Sequence, residues 1–568
     1  MKIIPIFIPH AGCPYKCVYC DQHKISGTIR MPTVKEIHYI IKRNLKTIPK
    51  EEKKEIAFFG GTFTFLSESL QKMYLEAVFL YVKKRIIKGI RMSTHPEAVT
   101  LESMKRFKKY GGGLVELGIQ SLDRGVLKRI KREIGFRQVE TAVKIIKKAG
   151  LKLGVQMMLG LPGDTLQKSI KTAKALIKLN PGTVRIYPTL ILKDTELGRY
   201  FKNKKYKPMS LEKAVEDSAI VSGIFENAGV KVIRIGLHPS EGLDSKNNIL
   251  GGPYHRAFGE MVRSRRMRDK IISLIKDKYT LNRSHIEIYA PKNMFNLISG
   301  HKGFEKRFLE KYFNAPIIFK NGKKFSVKDV RKDIALVDSR IPKKAKEKLR
   351  KMNYCIKEIP FNKKLLSPIK GHADMMLFRY KNKIIYEPQL REVVNLLKNN
   401  GYECVKGNNI KSSIYPEDII YNACAIGTKI IHYNGKIEKN IRRLRAKHIL
   451  VSQGYAKCSI VPIDKKHIIT SDKNIKREWE RNNGKALLIR PGHIRLPGHK
   501  TGFIGGASGV TKKTVFFVGS LIKHPDGAMI RDFIRARKKG IVELYDGPLY
   551  DIGTLLILPC LSKNRVLY

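Results

Sequence analysis

Short apolar runs rich in β-branched and aromatic residues recur through the first half of the chain, at residues 3–9, 55–61, 89–94, 114–120, 152–160 and 183–189. Runs of this length, apolar on both faces, are what a covered parallel sheet leaves in a sequence. Between them, residues 34–47, 70–83, 136–149 and 166–179 return apolar side chains at three- and four-residue spacing, which predicts amphipathic helices. The alternation gives an α/β fold with six βα units, a barrel or partial barrel. Polar and glycine-rich residues gather at the C-terminal end of each strand, where such folds carry their chemistry.

The pattern then changes. Residues 285–290 read as a strand, 292–299 and 304–313 as helices, and Gly300-His-Lys-Gly303 joins the two helices. From about residue 325 the order becomes helix, strand, glycine turn, strand. Four segments share it, centred on Gly371-His-Ala-Asp374, Gly454-Tyr-Ala-Lys-Cys458, Gly502-Phe-Ile-Gly-Gly506 and Gly547-Pro-Leu-Tyr-Asp-Ile-Gly553. Apolar strands such as 514–519 and 554–559 follow them, and helices at 345–351, 437–445 and 530–539 precede them. One recurring unit, with room for a fifth copy, predicts a pseudosymmetric repeat domain. The expected domains are 1–270, 271–322 and 323–568.

Composition narrows the partners. At 568 residues, 42% hydrophobic and 28% charged, the chain is a multidomain protein that folds in water. Lys and Arg number 112 against 49 acids, a net charge of +63, which points to polyanions. The lysines are scattered through every predicted helix, a distribution that a generally lysine-rich composition also produces. No apolar run approaches the roughly 18 residues of a membrane helix. Residues 3–13 superficially resemble a lipoprotein cleavage site, but two prolines interrupt them and His10 stands where an aliphatic residue belongs, so a cytoplasmic protein is expected.

Of 8 cysteines, Cys13, Cys17 and Cys20 crowd into one loop after the first strand, and the other five are dispersed. That is a metal-site pattern rather than a disulfide framework. Three thiolates can hold three irons of a [4Fe-4S] cubane and leave the fourth open to chemistry. Zinc is the alternative, and it would need His10 or His23 as a fourth ligand.

The C-x-x-x-C-x-x-C loop, with Tyr19 before its last cysteine, resembles the signature of the radical S-adenosylmethionine (SAM) superfamily. The resemblance implies a partial (β/α)6 barrel, a [4Fe-4S] cluster on Cys13, Cys17 and Cys20, SAM as cofactor and an external electron donor. Gly60-Gly61-Thr62-Phe63 looks like the family's glycine motif, which holds the methionine amino group through backbone atoms. Ser93, Glu116, Gln120 and the segment from Gln156 to Gly160 fall where the family contacts ribose, carboxylate and adenine. Within the superfamily, His10-Ala-Gly-Cys13-Pro, Phe58-Phe-Gly-Gly-Thr-Phe63, Val115-Glu-Leu-Gly-Ile-Gln-Ser121, Met157-Met-Leu-Gly-Leu-Pro-Gly-Asp-Thr165 and Val184-Arg-Ile-Tyr-Pro-Thr189 resemble the Elongator catalytic subunit over about 260 residues. That implies modification of wobble uridine in tRNA. Elongator proteins carry an acetyltransferase domain in their C-terminal part, and nothing here resembles one, so acetyl-CoA does not transfer with the rest.

The strand, helix, G-x-x-G, helix order at 285–313 is that of a KH core, which implies RNA contact at Gly300, Lys302 and Gly303. An ordinary helix junction with a glycine cap would look the same. The repeat domain resembles the pentein fold of guanidine-modifying enzymes, whose H-x-D motif His372-Ala-Asp374 matches. The nucleophilic cysteine of those enzymes is absent from Gly505-Gly-Ala-Ser-Gly509, where Ser508 stands, and Cys458 reads as a buried packing residue.

Three functions compete. The first is a radical SAM enzyme acting on tRNA. The second acts on a small guanidine or amino-acid-type substrate bound with the C-terminal domain. The third is a cluster-containing binding protein without radical catalysis.

Overall fold

Seven parallel strands make the sheet of the N-terminal part: β1 (Lys2–Ile8), β2 (Lys54–Gly60), β3 (Gly89–Thr94), β4 (Gly112–Gln120), β5 (Lys152–Leu159), β6 (Thr183–Pro188) and a seventh, Lys231–Ile235, in that order. The structure is a computed structural model and describes every residue except 1, 9–12, 14–15, 27–29, 133, 238–242, 244–247, 276–277, 279, 562–565 and 568. The sheet is a parallel half-barrel. One face of its strands, including Ile4, Ile6, Ile56, Phe58, Met92, Val115, Leu117, Val155 and Val184, packs with Ile37, Ile41, Val78 and Val143 of the helices in one apolar core. Each such side chain contributes about 1.5–3 kcal/mol on burial. The alternate residues form the inner face and include Phe59, Arg91, Glu116, Gln156 and Arg185.

Helix starts fix the loops above the strands. Thr33, Ser67, Thr100, Asp123, Thr165 and Ser210 each accept a hydrogen bond from the amide three residues on. Such caps are worth about 1 kcal/mol each and set where loop ends and helix begins.

Contacts divide the chain into two compact units, Met1–Ile271 with Asn293–Phe308, and Ile272–Lys292 with Leu309–Tyr568. In the second unit, strand Arg283–Ala290 pairs parallel with Ile317–Asn321 and antiparallel with Ser326–Arg331. In sequence, helices Phe295–Ser299 and Phe304–Phe313 lie between the two parallel strands, joined through the turn His301–Gly303.

Five three-stranded sheets follow, all on one plan. A short strand pairs antiparallel with the next, and a third returns parallel to that second one. Leu377–Tyr380, Lys383–Tyr386 and Glu403–Lys406 form one such sheet. Three more centre on Lys429–Tyr433, His467–Thr470 and Thr514–Phe517. The remaining sheet is closed from the far end of the domain: Ile334–Asp338 pairs parallel with Cys355–Ile359 and antiparallel with Leu556–Leu558.

Candidate functional site

The cysteine loop follows β1. Its Cys20 amide donates to the Cys17 carbonyl at 3.0 Å, and Val18, 1% exposed, is held through both backbone groups, its amide to Ile130 O and its carbonyl to the Leu197 amide. Buried Arg132 points one guanidinium nitrogen at Cys17 Sγ, 3.6 Å away, and another at the Gly118 carbonyl. Gln22 Nε2 donates to Cys20 Sγ at 3.3 Å. Burial pushes the Cys20 thiol up to about 12. Burial opposes the charge on Arg132, yet Tyr19 and the thiols of Cys17 and Cys13 beside it hold its pKa above the ordinary value. His95 is driven down to about 3 by burial and then by Arg132.

Three soft thiol donors on a braced loop, beside a fixed guanidinium, suit the irons of a [4Fe-4S] cluster. A cubane takes its three cysteines on three irons. Among the described residues no three His, Cys, Asp or Glu side chains converge on a single-ion site. His10 lies outside the described residues.

At the end of β2, Gly60 has φ +107° and an added Cβ would meet Ile8 O at 2.9 Å. The Gly61 amide donates to that same carbonyl at 2.7 Å, and Thr62 is 5% exposed. Gln120, at φ +70°, ends β4 with a buried Oε1 that has no hydrogen-bond partner. Gly160, at φ +71°, leaves room for Met209, and its amide donates to Asp164. Ser93 Oγ accepts from Gln156 Nε2 at 3.0 Å.

Glu116 is 1% exposed and fully engaged. Its carboxylate accepts from Arg91 Nη1 at 3.2 Å, Arg185 Nη2 at 3.1 Å and Gln156 Nε2 at 3.0 Å. Arg91 also donates to Glu55 through Nε at 2.9 Å. This network ties five strands, β2 to β6, together across the inner face.

In the second unit, equivalent positions just before the five short strands converge. Asp374, Asn422, Cys458, Gly506 and Thr554 each come from a different repeat. Thr554 Oγ1 donates to Asp374 Oδ2 at 2.6 Å and Cys458 Sγ to the same oxygen at 3.2 Å. Asn422 Nδ2 lies 3.2 Å from Cys458 Sγ. The Gly506 carbonyl accepts from the amides of Ile552 and Thr554. His372 Nδ1 stands 4.0 Å from Asp551 Oδ1, beyond hydrogen-bond reach. Burial raises Asp551, with His372 opposing and Asp374 reinforcing. Burial, then Asp374 and Asp551, raise Cys458 well above its ordinary value, so the thiol is a donor here and not a thiolate. A cavity of about 140 Å³, bordered by Asp374, Arg379, Cys424, Lys457, Ser508 and Thr554, runs between the short strands. Asp374 Oδ1 is buried and has no hydrogen-bond partner.

In the Gly300–Gly303 turn, Gly300, Lys302 and Gly303 all have positive φ (+77°, +50° and +73°), and Lys302 is exposed. A Cβ at Gly300 would meet Glu305, which pairs with Arg268 at 2.9 Å.

Sequence reasoning did not single out Arg132, the Arg91–Glu116–Arg185 network or Asn422, Asp551 and Thr554. The strand arginines did carry a signal, since Arg91 and Arg185 interrupt apolar runs at inward-facing positions. The repeat residues become visible once the segments are aligned on their short strands. Arg132 has no local signal, because the chain brings it back to the cysteine loop from 115 residues away.

Residues 7–176 match the model of the Radical SAM superfamily, 181–268 that of the Radical_SAM C-terminal domain, and 336–556 a family of unknown function (DUF6873). A tRNA uridine(34) acetyltransferase of Methanocaldococcus infernus is 24% identical over 256 residues, 38% of this chain and 48% of that protein. The heme chaperone HemW of Buchnera aphidicola is 28% identical over 192 residues, 32% of this chain and 50% of that one. The chain thus spans about half the length of these two curated relatives. The solved structure of the archaeal Methanocaldococcus infernus Elp3 aligns with a TM-score of 0.36 and 22% identity, covering 48% of this chain and 62% of that one. The N-terminal part of the chain, over residues 7–268, thus matches the radical SAM superfamily, a class of enzymes that uses a [4Fe-4S] cluster and SAM.

Proposed function

We propose that the protein modifies the wobble uridine of tRNA by radical SAM chemistry. The observation that carries the reading is the braced Cys13, Cys17, Cys20 loop set against a strand-end row on a +63 chain. A relative named as a tRNA uridine(34) acetyltransferase supports the substrate. A [4Fe-4S] cluster held there would supply one electron, taken from an external donor, for the reduction of SAM, whose S–C5' bond would break to leave methionine and the 5'-deoxyadenosyl radical. The chain's own residues do the rest. Cys13, Cys17 and Cys20 hold the cluster, with Tyr19 packed beside Arg132. Gly60, Gly61 and Thr62 present backbone to the methionine end, Ser93 and Gln156 the ribose side, Gln120 the open Oε1, and Gly160 the adenine edge. Glu116 acts by holding Arg91 and Arg185 in place. Lys302, between Gly300 and Gly303, meets phosphate through its exposed amine.

The reaction on uridine need not use acetyl-CoA, because the C-terminal residues match a different family. Mass spectrometry of tRNA nucleosides from cells with and without the chain tests the reading. A wobble-uridine derivative that disappears with the gene supports it, and identical nucleoside profiles overturn it.

The unpartnered Asp374 Oδ1 beside a 140 Å³ cavity favours a second reading for the C-terminal domain. On that reading it is a pentein-like binding domain, with Asp374 facing a small ligand that offers an N–H donor and His372 two residues before it in the motif. Calorimetry with arginine and simple amines, comparing wild type with Asp374→Asn, tests it; absence of heat from any of them in the wild type rejects it.

A further inference from the structure

The inner face of the half-barrel is chemically two-sided. On β1 and β2, Phe7 and Phe59 stand half-buried with ring centroids 6.5 Å apart. Opposite them, Arg185 of β6 lies with its guanidinium carbon 4.8 Å from the Phe59 centroid, and Tyr187 sits against it. Arg234 of the seventh strand is the register partner of Arg185.

The charges on this face do not cancel. Arg91 and Arg185 share Glu116, and Arg91 also holds Glu55. Arg234 has no carboxylate among the described residues. Burial lowers its pKa, with Tyr187 opposing and the neighbouring cations Arg185 and Arg263 reinforcing. Among the described residues of this face, the guanidiniums of Arg91, Arg185 and Arg234 therefore meet the two carboxylates of Glu55 and Glu116, and the one left over is half-buried. A protein that folds around an uncompensated guanidinium beside other cations gives up stability at that point, and an incoming anion restores the balance. A guanidine or amine substrate would meet repulsion there.

We propose that Phe7, Phe59, Tyr187 and Arg234 form a substrate seat that takes a nucleotide of RNA, with its phosphate on Arg234 and its base against the phenyl rings. The inference rests on the tRNA reading and assigns this chain's residues to it. Base-on-aromatic stacking and phosphate-on-arginine pairing are the two general means of holding single-stranded nucleotides. Here the two kinds of group face each other across one barrel, within reach of the strand ends that carry the cysteine loop.

The test uses the full chain with its cluster reconstituted anaerobically, and three probes: a short RNA hairpin with uridine in its loop, inorganic polyphosphate, and SAM. Arg234→Gln should weaken hairpin binding about tenfold and reduce the slope of log affinity against log salt by about 0.7. Arg234→Lys should recover most of that affinity. Phe59→Leu should weaken the hairpin by about tenfold and leave polyphosphate unchanged, because only a base stacks. SAM affinity should stay at the wild-type value in all three. Urea unfolding checks that each variant folds, and no acid is orphaned by losing Arg234. Wild-type hairpin affinity in both Arg234→Gln and Phe59→Leu overturns the seat while the tRNA reading stands. Parallel loss of SAM binding also overturns it, by making the row part of the cofactor site. A wild-type protein that binds no hairpin at low salt rejects both readings together.

Discussion

Cys13, Cys17 and Cys20 serve as a set, so replacing any one with Ala should lower iron and sulfide content sharply, and replacing all three should abolish it, as read by elemental analysis after anaerobic reconstitution. Gly60 and Gly61 part company at this scale. A Cβ at Gly60 runs into the Ile8 backbone in a left-handed conformation, so Gly60→Ala should destabilise the half-barrel by a few kcal/mol, about what strained backbone costs, whatever SAM does. Gly61→Val should instead spare iron content and unfolding midpoint and weaken SAM binding. Glu116→Gln would leave Arg91 and Arg185 short of a buried counter-charge, a loss of about 3–5 kcal/mol in urea unfolding. His95 adds a pH dependence. Its folded-state pKa is depressed to about 3, so unfolded chain takes up the proton first. The stability it confers is full above about pH 6.5 and is lost as pH falls toward 3, at up to about 1.4 kcal/mol per pH unit. Urea midpoints at pH 7 and 5 should converge in His95→Asn relative to wild type.

Among the elements, the five-repeat domain depends on Leu556–Leu558 to complete the sheet built on Ile334–Asp338, and on Thr554 to reach Asp374 in the next repeat. Thr554→Val should cost about 1–3 kcal/mol by depriving a buried carboxylate of a donor. Truncation after Gly553 should abolish the cooperative unfolding of this unit, seen by calorimetry as loss of one transition. The sequence made the barrel elements legible almost to the residue: helix Val34–Thr47 and strand Gly89–Thr94 lie where periodicity and capping residues put them. It missed Lys231–Ile235, where five residues with two basic side chains are too short to show a strand pattern. In the repeats, helix Lys439–Arg442 is one turn where a longer one reads from spacing, because Glu438 caps it and Leu444 already leads into the next strand. The fifth copy was invisible because its segment, around Asn422, lacks the glycine that marks the others. The cysteine loop could be read locally, whereas Arg132, the Glu116 network and the Asp374–Thr554 contact join residues distant in sequence, which no local pattern reports.

For the whole molecule the governing quantity is charge. With 112 basic and 49 acidic residues, the chain attracts RNA of any sequence, and steep salt dependence by itself says only that phosphates replace condensed counterions. The informative comparison is between two exposed lysines that contribute equally to the total. Lys302 stands on the Gly300–Gly303 turn at φ +50°, and Lys348 lies on helix Lys343–Lys351 of the repeat domain, where it donates to the Glu543 carbonyl. Each changed to Glu lowers the net charge by the same amount, so diffuse attraction predicts equal loss of tRNA affinity. If the turn lies against the RNA backbone, Lys302→Glu should weaken tRNA binding about tenfold at physiological salt, while Lys348→Glu changes it less than twofold. Lys302→Glu is a better probe than a change at Gly303, because its side chain is already exposed and needs no new room, whereas any side chain at Gly303 must adopt φ +73° and approach Arg307. Filter binding over a salt series distinguishes the outcomes. Equal loss in the two variants would mean that the basic surface as a whole, and not the turn, captures the RNA.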